Sequence, residues 1–105
     1  MDKKTLTQRQ VLDIVRAYKD YIRPRFRSEP KVVLYGSYSK GLATIDSDID
    51  VAVIVPNGEV VNWWEQSADL WSDIQKVNVL IEPVLLEEEE NTTLYRDVMR
   101  NGIAV

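Results

Sequence analysis

The chain has 105 residues and a formal net charge of −4, and it contains neither histidine nor cysteine. That inventory excludes Ser-His and Cys-His nucleophilic triads, histidine general bases, zinc sites built from thiolate or imidazole, and disulfide frameworks. Carboxylate and metal chemistry remain. With 45% hydrophobic residues, the length suits a single domain, residues 1–105, with a modest core. The acidic balance argues against broad nucleic-acid binding, which needs many cationic contacts to phosphate.

Localisation is predicted from two absences in the sequence. No apolar segment approaches membrane-spanning length, and no signal peptide is recognisable at the N-terminus. The sequence therefore predicts a cytoplasmic protein with no membrane association.

Four predicted helices alternate with three predicted strands. The first helix runs from Thr7, a suitable N-cap, to Arg23, where Pro24 ends it. The elements that follow are a strand at 31–35, a helical turn at 39–43, a strand at 48–55, a helix at 59–76, a strand at 77–86 and a helix capped by Asn91 or Thr92 that ends near Arg100. The order α-β-α-β-α-β-α predicts an α/β (α+β) domain in which helices pack on a small mixed sheet.

The helix at 59–76 carries all three tryptophans of the chain. Helical spacing predicts that Trp64 and Trp71 lie in a buried stripe that also contains Val60 and Ile74. Trp63 falls outside this stripe. If it is exposed, we expect it to mark a subunit or partner surface.

A glycine-serine turn follows the strand at 31–35. Gly36 can take a positive φ angle and lets the backbone approach a ligand closely, and Ser37 adds a hydroxyl and an amide. Successive N–H groups leading into a short helix favour an anion. The spacing from Gly36 to Gly41 imitates a Walker A loop, but Leu42 and Ala43 follow where that loop needs Lys and then Ser or Thr. A P-loop nucleotide triphosphatase is therefore excluded.

Two carboxylates stand at the start of the next strand. Asp48 and Asp50 are two residues apart, so a strand directs them to the same face. Their mutual repulsion falls when a hard divalent cation lies between them, and oxygen ligands select magnesium or manganese over zinc. A third acid, Glu82, is the only charge within the apolar run 77–86, and the following Pro83 favours an edge strand or a bulge. Each residue alone has an ordinary structural explanation, but together they favour a catalytic site.

These motifs resemble those of the nucleotidyltransferase (DNA polymerase beta-like) superfamily, and in particular the minimal nucleotidyltransferases. Members of that group are small proteins often encoded beside a HEPN partner. The resemblance runs over nearly the whole chain. It is carried by Gly36, Ser37, Gly41, Ser47, Asp48, Asp50 and Glu82, with the I-E-P context of Glu82 and the segment 94–103.

The resemblance implies a set of roles for these residues. Asp48 and Asp50 would bind two magnesium ions, and Glu82 would bind the ion nearest the acceptor. Many relatives have aspartate at the position of Glu82, whose side chain is one methylene longer. The resemblance also implies nucleotide-binding positions at Gly36, Ser37 and Ser47.

The expected activity is magnesium-dependent transfer of a nucleoside monophosphate to an acceptor hydroxyl, with ATP as the donor by resemblance. The same resemblance implies that the acceptor is a HEPN toxin and that the chain is its antitoxin. A homo-oligomer or a separate partner would complete the acceptor pocket. Two alternatives stay open: a non-catalytic module that neutralises a partner by contact, and an enzyme whose acceptor is a small molecule such as an aminoglycoside.

Overall fold

The computed structural model describes residues 5–105, in which helices pack on both faces of a four-stranded sheet. No helix within that range is both long enough and apolar enough to cross a membrane. The helices are α1 (Gln8–Ile22), α2 (Ser37–Lys40), α3 (Trp63–Asp73) and α4 (Thr93–Asn101), and 3₁₀ turns at 23–25 and 74–76 extend α1 and α3. The strands are β1 (Lys31–Tyr35), β2 (Ile49–Val55), β3 (Ile81–Glu87) and β4 (Ile103–Ala104).

The sheet has the strand order β3-β2-β1-β4. Strand β1 is antiparallel to both β2 and β4, whereas β2 and β3 are parallel. A parallel pair needs a long crossover connection, and α3 provides it. The predicted fold class, a small mixed sheet packed by helices, is confirmed. Strand β3 is an edge strand, as Pro83 predicted.

Strand β2 is central and buries both of its faces. Ile49, Val51 and Val53 point into a large core formed with α1 and α3. Ala52 and Ile54 point into a smaller core on the opposite face, which α4 covers through Val98. This alternation is the period of two expected for a strand buried on both sides.

Helix α1 agrees with the prediction to within one residue at each end. The Thr7 side chain accepts a hydrogen bond from the backbone N–H of Gln10, and the Gln10 side chain accepts one from the backbone N–H of Thr7. This capping box fixes the start of the helix. The predicted apolar stripe is largely confirmed, because Val11, Val15, Tyr18 and Ile22 are all fully buried.

The end of α1 is tied to α3 by an ion pair. Asp73 is 3% exposed, and the Arg25 guanidinium donates to its two oxygens over 2.5 Å and 2.8 Å. Nearby, the Tyr18 hydroxyl donates a 2.8 Å hydrogen bond to the backbone oxygen of Leu70. The buried carboxylate is therefore satisfied by the basic segment that follows α1.

Element boundaries differ from the prediction in several places. Helix α3 begins four residues later than expected, because the Asn62 side chain accepts from the backbone N–H of Glu65 and caps the helix there. Helix α2 starts directly after Gly36, and β2 starts one residue after Asp48. Strand β3 begins at Ile81, after a turn in which the backbone N–H of Ile81 donates to Asn78. Strand β4, with only two residues, was not predicted.

The predicted burial of Trp64 and Trp71 is wrong. Trp64 is 80% exposed and Trp71 is 46% exposed. Leu70 of α3 and Ile74 of the following 3₁₀ turn enter the core instead, so the two tryptophans lie outside it.

Removing the guanidinium of Arg25 will test the ion pair. We expect Arg25→Met to lower the free energy of unfolding by about 2–3 kcal/mol, because the buried Asp73 carboxylate loses its partner. The matched control is Arg23→Met, whose partners Asp20 and Glu29 are both exposed, and we expect it to cost no more than about 1 kcal/mol. Urea unfolding measures both values, and equal losses would contradict this account.

Candidate active site

Two of the three predicted acids face each other across neighbouring strands. In the parallel register of β2 and β3, Asp50 lies opposite Glu82, so both side chains project from the same face of the sheet. Asp48 lies just before β2, and it is close enough to Glu82 for its charge to raise the pKa of that carboxyl group. The acids predicted from separate segments therefore converge.

Mutual repulsion is evident in the acid–base properties of this group. Desolvation raises the pKa of Asp50, and the charge of Asp48 raises it further. The pKa of Glu82 is raised by desolvation, by the charges of Asp48 and Asp50, and by the hydrogen bond with Asp48. Closely placed carboxylates with raised pKa values gain from a bound cation.

Tyr35 borders the acids and was not singled out by the sequence. It lies opposite Asp50 in the antiparallel register of β1 and β2. Burial raises its pKa to about 12, with smaller contributions from Asp50, Glu82 and Asp97. The phenol therefore stays neutral beside the carboxylates. A tyrosine at the end of an apolar strand is typical of a protein core. Only the register of β1 and β2 shows that Tyr35 lies beside the acids.

Gly36 is required by the close approach of the turn to Asp50. Its φ angle of 74° belongs to the positive-φ region, and a Cβ atom added there would clash with the carboxylate oxygen Oδ2 of Asp50 and lie 3.1 Å from its Cγ. The turn is held by a 2.8 Å hydrogen bond from the Ser39 hydroxyl to the Gly36 oxygen. At the other end, the Leu42 N–H donates to the Ser37 oxygen over 2.9 Å. The turn and the acids are thus one structural unit.

Ser47 lies in the loop between α2 and β2. Its hydroxyl oxygen accepts a 2.8 Å hydrogen bond from the Thr44 N–H, and its own N–H donates to the Thr44 oxygen over 3.1 Å. The side chain therefore shapes the loop that delivers Asp48. Its role in nucleotide binding stays a prediction.

Helix α4 also reaches this region. The Lys40 ammonium lies 3.6 Å from Asp97, and the Asn101 amide donates to the same carboxylate over 2.8 Å. Lys40 ends α2 and Asp97 lies on α4. The pair therefore connects the glycine-serine turn to α4, the helix that covers the sheet face from which Asp50 projects. Sequence spacing held no signal for a contact between residues so far apart.

The chemistry of the three acids fits a divalent ion. They supply carboxylate oxygens only, which is the donor set that magnesium and manganese prefer. Within residues 5–105, no three acidic side chains are already closed around one point as a metal cage. Asp48 and Glu82 are exposed, so their side chains are free to rotate towards an ion.

Alanine at position 36 will test the contact between the turn and Asp50. We expect Gly36→Ala to lower the free energy of unfolding by at least about 2 kcal/mol, because it combines a disfavoured φ angle with a clash. Gly58 is the control, since it also has positive φ but opens onto free space. Gly58→Ala should cost only about 1 kcal/mol. Chemical denaturation compares them, and a smaller loss at position 36 would refute the contact.

Neutralising Asp50 will test the repulsion between its carboxylate and those of Asp48 and Glu82. We expect Asp50→Asn to raise the free energy of unfolding of the metal-free protein by about 0.5–1 kcal/mol near pH 7. A raised folded pKa means that the native state keeps a proton that the unfolded chain has lost, so stability falls as pH rises through that pKa. The difference in free energy of unfolding between Asp50→Asn and wild type should therefore shrink at acidic pH. Asp46→Asn, in the same loop and exposed, should show no such trend; a pH-independent gain at position 50 would argue against repulsion.

The chain is similar to several known proteins. A "putative protein adenylyltransferase" of Methanocaldococcus jannaschii is 24% identical over 98 residues, which cover 91% of this chain and 99% of that protein. A crystal structure of a "putative nucleotidyltransferase" from Sulfolobus solfataricus is 18% identical and has a TM-score of 0.69, over 92% of this chain and 80% of that one. A toxin–antitoxin crystal structure with AMP-PNP is 24% identical with a TM-score of 0.50, over 94% and 72% of the two chains.

The first two matches span most of both proteins, and the structural likeness supports the fold assignment. The family model for a nucleotidyltransferase domain matches residues 15–105, which include the glycine-serine turn and all three acids. The chain therefore belongs to the nucleotidyltransferase domain family.

Proposed function

We propose that this protein transfers a nucleoside monophosphate, AMP from ATP, to a hydroxyl group of a partner protein in a magnesium-dependent reaction. The observation that carries the proposal is the register that sets Asp50 opposite Glu82 and against Gly36. Membership of the nucleotidyltransferase family supports the reaction type. The name of the archaeal relative supports adenylyl transfer to protein.

Each residue has a defined part in this proposal. Asp48 and Asp50 would hold two magnesium ions, and Glu82 would hold the one beside the acceptor. Such ions, when bound, neutralise phosphate charge and align an in-line displacement. The Gly36–Ser37 turn would bind the β- and γ-phosphates through its N–H groups and the serine hydroxyl, and Ser47 would keep the loop to Asp48 in place.

The bond changes follow from this placement. The acceptor oxygen forms a bond to the α-phosphorus, and the bond from that phosphorus to the bridging oxygen of pyrophosphate breaks. The acceptor proton passes to solvent, assisted by the Glu82 carboxylate. Pyrophosphate leaves with the electron pair of the broken bond, and the amides of the turn steady its charge.

A protein acceptor is favoured by the open form of the site. Asp48 and Glu82 are exposed, whereas a small-molecule acceptor is usually enclosed in a pocket. Ile45, Val79 and Leu80 are exposed aliphatic side chains within three residues of Asp48 or Glu82 along the chain. Exposed apolar residues so close to the acids along the chain suit contact with a protein surface. We propose that the partner is a HEPN-type toxin, in keeping with the sequence resemblance and with the toxin–antitoxin structure that contains an ATP analogue.

One observation favours a second candidate, a non-catalytic antitoxin that acts by contact. Within residues 5–105, no three acidic side chains are arranged around one point as a metal cage. The exposed apolar residues near the acids would serve such a binding module without any chemistry. Neutralising the acids separates the two candidates.

The test uses ATP labelled at the α-phosphate, magnesium and the product of the neighbouring gene as acceptor. We expect wild type to label the acceptor, and Asp48→Asn with Asp50→Asn to lower the rate at least about 1,000-fold, because several kcal/mol of transition-state stabilisation depend on the metals. Asp46→Asn, which removes an exposed acid from the same loop, should label as wild type does. No labelling by wild type, or undiminished labelling by the double variant, would contradict the enzyme. Persistent inhibition of the partner by the double variant would favour the contact mechanism.

A further inference from the structure

An apolar stripe runs along the outer side of α3. It consists of Trp64, Ala68 and Trp71, at helical spacings of four and three residues, and Val61 precedes it in the loop. Trp64 is 80% exposed, Trp71 46% and Val61 91%, and Ala68 is also exposed. Two exposed tryptophans on one side of a helix are unusual for a surface that faces only water.

Trp64 is held in place rather than loosely solvated. Its ring lies edge-on to that of Trp63, with centroids 5.0 Å apart and planes at 85°. Trp63 is itself fixed by a 3.1 Å hydrogen bond from its indole N–H to the backbone oxygen of Leu85 on β3. A pre-ordered aromatic group loses little conformational entropy when it is covered.

The stripe lies on the side of α3 that faces away from α1. The side towards α1 carries Asp69 and Asp73, which both contact Arg25. Within the stripe itself no residue is charged, because α3 places its acids elsewhere. A second copy can therefore cover the stripe without burying a charge from the stripe of either chain.

Edge-to-edge pairing of sheets, the other common route to a dimer, is blocked at β3. Leu80 and Glu88 bond to β2, so the alternate residues at 81, 83, 85 and 87 direct their backbone groups to the free edge. Pro83 has no N–H to offer, Trp63 occupies the Leu85 oxygen, and the Glu90 side chain accepts from the Glu87 N–H. This edge is protected in the manner of natural edge strands.

We propose that α3 packs against α3 of a second copy of this chain in an antiparallel, two-fold contact. The order large, small, large of Trp64, Ala68 and Trp71 reads the same in both directions, so an antiparallel second copy presents the same order. Antiparallel pairing centred near Ala68 sets Trp64 of each copy against Trp71 of the other, and the small alanine lets the helix axes approach closely.

The exposed apolar area is close to what such a dimer needs. Taking about 250 Å² for a whole tryptophan and about 150 Å² for a valine, the exposed parts of Trp64, Trp71 and Val61 give roughly 450 Å² per chain. The pair would then bury roughly 900 Å², near the area at which specific interfaces begin. The catalytic acids project from the sheet face that α4 covers, opposite to α3. Both active sites would therefore stay open in the dimer.

Sedimentation velocity over about 5 to about 200 μM protein tests the proposal, since association depends on concentration. We expect wild type to reach twice the monomer mass within this range. Trp64→Glu and Ala68→Glu should each raise the dimer dissociation constant at least about 30-fold, because they place a charge at the centre of the contact. Both side chains are exposed, so the far-UV circular dichroism spectra of the variants should match that of wild type.

Met99→Glu is the matched control, because Met99 is a half-exposed apolar residue on α4, and it should leave the dimer intact. Affinity for magnesium–ATP, measured with a fluorescent analogue, should be the same in Trp64→Glu and wild type, which keeps this result separate from the catalytic proposal. Wild type that is monomeric up to the highest concentration would overturn the dimer. Dimers of unchanged stability in both α3 variants would do the same.

Discussion

The parallel register between β2 and β3 is the constraint on which the site depends. Side chains alternate along a strand, so a slip of one residue would turn Glu82 away from Asp50. Hydrogen bonds from Ile49 to Leu80 and from Glu88 to Val55 fix the pairing at both ends. Burial of alternate β3 residues against α1 and α3 makes any other register costly. Packing on one face of the sheet therefore sets the acid positions on the other.

The site itself opposes folding, and the rest of the domain compensates for it. Desolvation, and after it the charges of neighbouring acids, raise the pKa values of Asp50 and Glu82. The turn at Gly36 adopts a conformation that only glycine takes readily. The large core against α1 and α3 and the pairing of Asp73 with Arg25 lie on the opposite face of the sheet. The smaller core shares the face of the acids, so most of the apolar burial lies away from the site.

The sequence was most informative where local chemistry decides the structure. A capping residue defined the start of α1, and a β-branched run gave β1 with its exact bounds. Pro83 favoured an edge strand or a bulge, and β3 is an edge strand. It failed where tertiary packing decides. Helix α3 has two apolar sides, and periodicity alone could not tell that Leu70 and Ile74, rather than Trp64, face the core. The contributions of Tyr35 and Asp97 depended on register and helix docking, which a single sequence does not encode locally.

The central claim is that the three acids act together on one ion-bound nucleotide. Electron paramagnetic resonance of manganese, titrated into the protein with and without a non-hydrolysable ATP analogue, tests it directly, because free and bound ions give different signals. The account predicts nucleotide-dependent manganese binding by wild type that is abolished in Asp50→Asn and strongly weakened in Glu82→Gln. Absence of bound manganese in wild type, or equal binding by all three proteins, would contradict it.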